Sequence, residues 1–148
     1  MRIRRVLIAP VAAVFALSGC SLLGGATVEE LQVSVGECVN TEAFDTETET
    51  EVGALPTVDC AEEHDAEVYF VLDLPEGDLP ADAEAQAEAA CRENYESYVG
   101  VAYEDSRYYY SFTYPTQSSW DMGDRQVACM LLGEVDEKLT GSLKGAAA

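Results

Sequence analysis

The chain is poor in basic residues and lacks the short motifs by which many enzymes are recognised. After position 20, five side chains are Lys or Arg, whereas 28 are Asp or Glu. Nucleic-acid binding requires a basic face, so this balance argues against a nucleic-acid partner. The chain also has no GxSxG, HExxH or Walker pattern, the motifs that supply a nucleophile, a catalytic metal or a phosphate-binding loop. The sequence therefore predicts no catalytic residue, no metal and no cofactor.

Apolar runs long enough to span a bilayer are missing as well. The N-terminal apolar stretch Val6–Leu17 has 12 residues, whereas a membrane-spanning helix needs about 20. This stretch follows a basic start and ends in small residues, which is typical of a secretory signal peptide. A transmembrane anchor is therefore disfavoured, and a plain secretory signal cleaved near Ala16 or Gly19 stays open.

Cys20 favours a more specific interpretation of this leader. The stretch Leu17-Ser18-Gly19-Cys20 resembles the bacterial lipobox, in which the cysteine thiol is joined to a diacylglyceryl group and becomes the mature N-terminus. The resemblance implies a lipoprotein signal peptide at 1–19, and a lipidated Cys20 with its tether at 20–30. Two acyl chains anchor a protein stably, whereas one binds only marginally. We therefore expect the domain to be held by its lipid on the extracytoplasmic face of the cell membrane.

The mature chain is expected to be one acidic domain. Removal of residues 1–19 leaves 129 residues and lowers the formal charge from −20 to −23, because three arginines leave with the leader. This length suits a single domain with its own core, and the hydrophobic content of 48% argues against disorder. Such acidity disfavours a position flat on anionic headgroups. It is compatible with a cationic partner, a divalent metal ion, or solubility at a crowded surface.

The remaining cysteines indicate disulfides. They are Cys38, Cys60, Cys91 and Cys129. An even number in an exported domain is typical of disulfide bonds. Three pairings are possible, and we expect Cys38–Cys60 and Cys91–Cys129 because neighbours along the chain usually lie in adjacent elements. A zinc site is disfavoured, since cysteine ligand pairs are usually two to four residues apart and the only tight spacing here is Cys60-x3-His64.

Alternating apolar residues and turn signals predict an α+β domain. The predicted strands cover residues 31–35, 55–60, 67–72, 107–114 and 126–132. In the third of these strands Val68, Phe70 and Leu72 are expected to face the core. The helix is expected over Pro80–Val99, with a stop at Gly100. Its buried stripe is Ala83, Ala87, Cys91, Tyr95 and Tyr98.

These elements suggest a small, mostly antiparallel sheet packed on one main helix and held by two disulfides. The domain is expected to cover residues 31–144. Residues 115–124 are expected to form a loop. The last residues, 145–148, are expected to be a flexible tail.

Short motifs follow one another in a characteristic order over about residues 31–144. They are Val35-Gly36-Glu37-Cys38-Val39, Val58-Asp59-Cys60, His64-Asp65-Ala66-Glu67-Val68-Tyr69, Ala90-Cys91, Tyr98-Val99-Gly100, Tyr114-Pro115, Trp120, Gly123-Asp124-Arg125, Val127-x-Cys129 and Thr140-Gly141-Ser142-Leu143. This ordered set resembles the septum-formation-related domain family of actinobacterial exported and membrane proteins. The resemblance implies an association with the division septum and brings no established activity, cofactor or catalytic residue. The chain departs from the family pattern at Glu63, where a Pro usually precedes the His, and in the acidic insertion at 41–53.

The candidate binding residues are His64, Trp120, Arg125 and Tyr110. His64, beside acidic neighbours, is either a proton-transfer or ligand group or a residue that orders the turn after Cys60 by hydrogen bonds. The second interpretation is favoured. Tyr110 and the tyrosines around it form either an aromatic platform for a glycan or peptide, or one face of a packed core.

Arg125 and Trp120 can likewise be interpreted either as ligand-binding residues or as structural residues. Arg125 can grip a carboxylate with two hydrogen bonds, in a surface pocket beside Trp120. The favoured interpretation is that Arg125 pairs with a local acid such as Asp121 or Asp124, and that Trp120 caps the core.

The sequence as a whole favours a non-enzymatic, membrane-tethered binding or scaffold module of the cell envelope, whose partner is an unknown envelope protein, peptide or glycan. The alternative is a small envelope hydrolase or ligand-binding enzyme that uses His64 and Arg125, which requires the two side chains to meet at a cleft. A third interpretation assigns divalent-cation binding to the acids of 41–53. That stretch lacks the Gly and the terminal Glu spacing of an EF-hand loop, so a solvated loop is favoured.

Overall fold

The computed structural model describes residues 27–40 and 53–148. Its elements are α1 (Val28–Leu31), β1 (Cys38–Val39), β2 (Thr57–Val58), β3 (Ala66–Asp73), α2 (Ala83–Val99), a 3-10 turn (Tyr103–Asp105), β4 (Tyr109–Thr113), α3 (Gln117–Asp121) and β5 (Gln126–Leu132). The described strands form one antiparallel sheet in the order β2-β1-β3-β5-β4. The predicted α+β class is confirmed. Cys20 and residues 41–52 of the acidic insertion lie outside the described residues.

Strand β5 is the centre of the domain and matches its predicted bounds. It pairs with β3 on one side and β4 on the other. Its alternate residues Val127, Cys129 and Leu131 pack on the α2 side of the sheet. Ala128 and Met130 are equally buried in a second apolar cluster on the opposite face. The sheet therefore has a core on both faces, whereas the sequence predicted one core beneath one helix.

The prediction that Val68, Phe70 and Leu72 share one face is wrong. The pairing of β3 with β5 shifts between Val68 and Phe70, which is the mark of a β-bulge at Tyr69. An extra residue reverses the alternation of the side chains that follow it. Val68 consequently packs on the face opposite α2, whereas Phe70 and Leu72 pack on the α2 side.

Helix α2 packs on the core that contains Val127, Cys129 and Leu131, and it has the predicted buried stripe. It begins at Ala83, after the N-cap Asp82, and not at Pro80 as predicted, because Pro80 lies in the preceding turn, where its carbonyl accepts from the Ala83 N–H at 3.1 Å. It ends at Gly100, whose φ of 95° is left-handed and whose N–H donates to the Glu96 carbonyl at 2.9 Å. The predicted stripe is buried, together with Val99.

Both predicted disulfides are present. Cys38–Cys60 joins β1 to the turn that follows β2, and Cys91–Cys129 joins α2 to β5. Their loops of 22 and 38 residues correspond to about 3 and about 4 kcal/mol of stabilisation in the chain-entropy treatment.

The strand predicted at 31–35 is not formed. Thr27 begins the short helix α1, because the Glu30 carboxylate accepts from the Thr27 N–H at 2.7 Å and closes a capping box. These hydrogen bonds lower the pKa of Glu30. After α1, Val33 is buried and donates its N–H to the side chain of Gln126 rather than to a strand. This segment covers the face of the sheet opposite α2, and its residues 27–30 are helical or capping residues rather than a plain tether.

Other predicted boundaries shift where tertiary contacts decide them. The strand predicted at 55–60 is only Thr57–Val58, and the one predicted at 107–114 is Tyr109–Thr113. The loop predicted at 115–124 contains α3, whose first turn is capped by the Thr116 hydroxyl accepting from the Ser119 N–H at 3.2 Å. Within residues 27–40 and 53–148, no helix is both long and apolar enough to cross a membrane.

The last residues are bound to the domain, contrary to the predicted flexible tail. We call residues 139–147 the C-terminal strap. Gly141 donates to the Cys60 carbonyl, Gly145 to that of Tyr98 at 2.8 Å, and Ala147 to that of Val99 at 2.9 Å. Small residues suggested mobility, but here they let the backbone lie close to the end of α2.

Candidate functional site

His64 is fully buried at the start of β3 and holds the C-terminal strap. Its backbone exchanges two hydrogen bonds with Leu139, at 3.0 and 2.8 Å, in an antiparallel bridge. The ring Nδ1 lies 2.9 Å from the Glu62 carbonyl oxygen. A carbonyl can only accept, so Nδ1 carries the hydrogen. These contacts support the interpretation of His64 as a residue that orders the turn after Cys60.

Arg125 lies at the start of β5 and binds backbone oxygens. Its Nη1 donates to the Trp120 carbonyl at 2.9 Å and to the Asp124 carbonyl at 2.7 Å. Its Nε faces the Glu76 carboxylate at 3.6 Å, and its guanidinium stacks 3.7 Å from the Trp120 ring centroid. The expected pairing of Arg125 with an acid is therefore found with Glu76, and not with Asp121 or Asp124.

Each of those two aspartates is engaged elsewhere. The Asp124 carboxylate accepts from the Gln126 N–H at 3.1 Å. The Asp121 carboxylate accepts from the Gln117 side chain at 2.8 Å, one helical turn earlier. Arg125 instead binds the Trp120 carbonyl in the last turn of α3 and the Asp124 carbonyl just after it. The ends of helices expose unpaired oxygens that an arginine can satisfy.

Trp120 is buried beneath Arg125. It is 4% exposed, and its indole Nε1 donates to the Gly77 carbonyl at 2.9 Å. This bond ties α3 to the turn between β3 and α2. The predicted capping of the core describes this arrangement better than a surface pocket does.

His64 and Arg125 lie at opposite ends of the sheet. His64 precedes Ala66, which pairs with Leu132, whereas Arg125 precedes Gln126, which pairs with Asp73. The length of β3 between these pairs is roughly 23 Å, at about 3.3 Å per residue. The described structure therefore does not bring His64 and Arg125 together at one cleft, as the hydrolase alternative requires.

Tyr110 belongs to a packed group of rings. We define the tyrosine cluster as Tyr69, Tyr95, Tyr98, Tyr103 and Tyr110, whose neighbouring ring centroids are 4.9–6.2 Å apart. Edge-to-face contacts of this kind stabilise aromatic cores. Burial is the largest cause that raises the pKa of Tyr69, Tyr95, Tyr98 and Tyr103. Tyr110 is half-buried at the margin of this cluster, so only part of its ring is available to a ligand.

Glu67 is the polar residue that the sequence analysis missed. Its side chain is fully buried in β3. Its Oε1 accepts from the Tyr98 hydroxyl at 2.7 Å and the Ser142 hydroxyl at 2.6 Å, and its Oε2 accepts from the Leu143 N–H at 2.5 Å. One carboxylate thus joins β3, α2 and the C-terminal strap. Glu67 lies two residues before Tyr69 in β3, and both side chains lie on the α2 side of the sheet. This spacing was the sequence signal from which the burial of Glu67 could have been predicted.

An acidic groove lies on the other side of the molecule. It has a volume of about 360 Å³ and is lined in part by Glu29, Glu30 and Glu37 of the α1 region and by Leu55 and neighbours before β2. Glu30 and Glu37 already accept backbone N–H groups at 2.7 Å. Among the described residues there is no group of His, Cys, Asp or Glu side chains suited to holding a metal ion. The acids of 41–52 lie outside that part of the chain.

Comparison with known families shows a similarity over most of the chain. A family model described as Septum formation matches residues 23–129. The chain belongs to the septum formation family. No curated protein and no solved structure gives a significant match. Membership in the septum formation family indicates a role related to septum formation and names no catalytic residue. The matched range contains all four disulfide cysteines and the candidate binding residues, and it ends before the C-terminal strap.

Proposed function

We propose that this member of the septum formation family is a membrane-tethered, non-enzymatic binding or scaffold module on the extracytoplasmic face of the cell membrane. Its task is to hold a partner of the cell envelope near the division septum. The observation that carries the proposal is the family match over residues 23–129. We expect this partner to be a protein, peptide or glycan of the cell envelope.

The disulfides support an exported domain. Cys91–Cys129 is fully buried between α2 and β5, and Cys38–Cys60 closes the turn before β3. Structural disulfides persist in oxidising compartments and are rare in the cytosol. Together with the lipobox at Cys20, they favour export followed by anchoring.

The contacts of the candidate residues support a scaffold. The polar atoms of His64 and Arg125 that make hydrogen bonds are directed to backbone carbonyls of the fold. Both residues therefore act in the described structure by joining segments of the chain. A rigid domain of this kind presents its surface to a partner without rearrangement, which lowers the entropic cost of binding.

The anchor is tested by fractionation of cells that carry the intact chain or Cys20→Ala. We expect the intact chain in the membrane fraction, with an acylated N-terminal peptide starting at Cys20 in mass spectrometry. The Cys20→Ala chain should lose the acyl group and be retained only through its uncleaved leader, or be released. An unmodified N-terminus in the intact protein would contradict the proposed anchor.

The binding role is tested separately by crosslinking in dividing cells. We expect the intact chain to crosslink to a defined envelope component. The double variant Cys91→Ala/Cys129→Ala, which loosens the domain but keeps Cys20, is expected to lose this product. Equal labelling of both chains would show that the folded domain does not select the partner.

A further inference from the structure

The outer edge of β4 is an open strand edge at the end of the sheet in the described part of the chain. Strand β4, Tyr109–Thr113, ends the sheet, and no described strand pairs with its outer side. An edge strand presents unpaired N–H and C=O groups, which form a template for another strand. The opposite edge, β2, is only two residues long and follows Pro56, so it offers much less to pair with.

This edge lacks the usual protection against pairing. Natural edges carry charges, prolines or bulges that prevent association. Strand β4 has none of these within its span, and its register with β5 is regular. Residues 108–120 contain no charged side chain, although 24% of the whole chain is charged. On a molecule with a formal charge of −20, this neutral edge is where a second copy meets the least repulsion.

The sequence of β4 also complements itself. An antiparallel pairing of two copies with its centre at Ser111 places Tyr110 opposite Phe112, on the α2 side of the sheet. It places Tyr109 opposite Thr113 on the other side. Aromatic pairs and pairs of aromatic with β-branched residues are among those that stabilise adjacent strands. Tyr109 is 51% exposed, so its ring has surface to bury.

We infer that β4 of one copy pairs antiparallel with β4 of a second copy across a two-fold axis at Ser111, which makes one continuous sheet. Such an isologous contact closes on itself and stops at the dimer. A strand of five residues buries less than the roughly 800 Å² per partner of a standard stable interface. The dimer is therefore weak, and it forms at high local concentration. Screening of the acidic surfaces by salt strengthens it.

Site-directed disulfide crosslinking tests the register. Ser111→Cys and Ser97→Cys are made in the full chain carrying Cys20→Ser, so that the new thiol is the only free one. Ser97 lies on the exposed face of α2 and is the matched control. We expect a covalent dimer from Ser111→Cys under mild oxidation and little from Ser97→Cys. Equal crosslinking of the two variants would overturn the inference.

Sedimentation equilibrium tests the association itself. The full chain with Cys20→Ser is expected to dimerise with rising concentration, and more strongly at high salt. Ser111→Lys places two like charges opposite each other and should weaken association at least about tenfold, whereas Ser97→Lys should not. Ser111→Thr, which keeps the edge neutral and favours strands, should preserve or strengthen it, so the inference stays testable if Ser111→Lys misfolds. A chain that is monomeric at every concentration and salt level would overturn the inference.

Discussion

Replacement of Glu67 tests the interpretation of the C-terminal strap as part of the folded domain. In the wild type, the carboxylate accepts three hydrogen bonds, from Tyr98, Ser142 and Leu143. Glu67→Leu removes all three acceptor contacts. Glu67→Gln keeps the shape and one acceptor oxygen. That oxygen can still accept from the Leu143 N–H, but the amide nitrogen then faces the Tyr98 and Ser142 hydroxyls, which can no longer donate to this position.

The magnitude follows from which donors stay buried. Leu143 is 6% and Tyr98 8% exposed, so both donors lose a partner that water cannot easily replace, whereas the exposed Ser142 can turn to solvent. A buried unsatisfied donor costs about 1–3 kcal/mol. Glu67→Leu should therefore destabilise the domain by about 3 kcal/mol, a large part of a typical stability of about 5–15 kcal/mol. Glu67→Gln should lower the free energy of unfolding by about half as much, because one acceptor oxygen remains.

Chemical denaturation and hydrogen exchange measure this effect. Glu88→Gln on the exposed face of α2 is the matched control, because it makes the same charge change at a solvated position. We expect a lower unfolding midpoint for both Glu67 variants and faster exchange of the Leu143 and Gly145 amides. If Glu67→Gln unfolds within about 0.5 kcal/mol of Glu88→Gln, and the strap amides stay protected, the role assigned to Glu67 is refuted.

Three further predictions concern the disulfides, Arg125 and the tyrosines. Cys91→Ala/Cys129→Ala should lower the free energy of unfolding by about 4 kcal/mol, measured by denaturation, and an unchanged midpoint would contradict it. Arg125→Met should cost about 1–2 kcal/mol through lost carbonyl and ring contacts and should quench or shift Trp120 fluorescence; an unchanged spectrum would contradict the stacking. Spectrophotometric titration should show that the four tyrosines with raised pKa stay protonated above pH of about 10. Because the folded state holds these protons more tightly than the unfolded chain, stability should fall as the pH rises above that value, and full ionisation of all tyrosines near pH 10 in the native protein would contradict it.

The elements with long, regular patterns could be predicted from the sequence. Strand β5 matches because Val127–Leu132 is a continuous apolar run. Helix α2 matches in its buried stripe and in its end at Gly100, whereas its start is Ala83 and not the predicted Pro80. The disulfide pairing followed from chain proximity. These features depend on local signals that tertiary contacts reinforce.

The remaining features depend on contacts between distant residues. The pattern of apolar residues in 67–72 does not reveal the bulge at Tyr69. The sequence therefore did not show that Val68 lies on the opposite face of the sheet from Phe70 and Leu72. The segment at 31–35 alternates like a strand, but the capping of α1 and the contact of Val33 with Gln126 decide its conformation. The partners of Arg125 are backbone oxygens, which the side-chain sequence does not display. The role of Glu67 was missed because the groups that donate to its carboxylate come from α2 and the strap, which are distant along the chain.

The position of the protein in dividing cells tests the central claim most directly. The measurement is the ratio of fluorescence at the division site to fluorescence along the cell periphery, for a fusion that folds outside the cytoplasm. A septal scaffold held by its lipid should be enriched at the division site, and release of the Cys20→Ala chain from the membrane should abolish that enrichment. An even peripheral signal through the whole division cycle would contradict the proposed function.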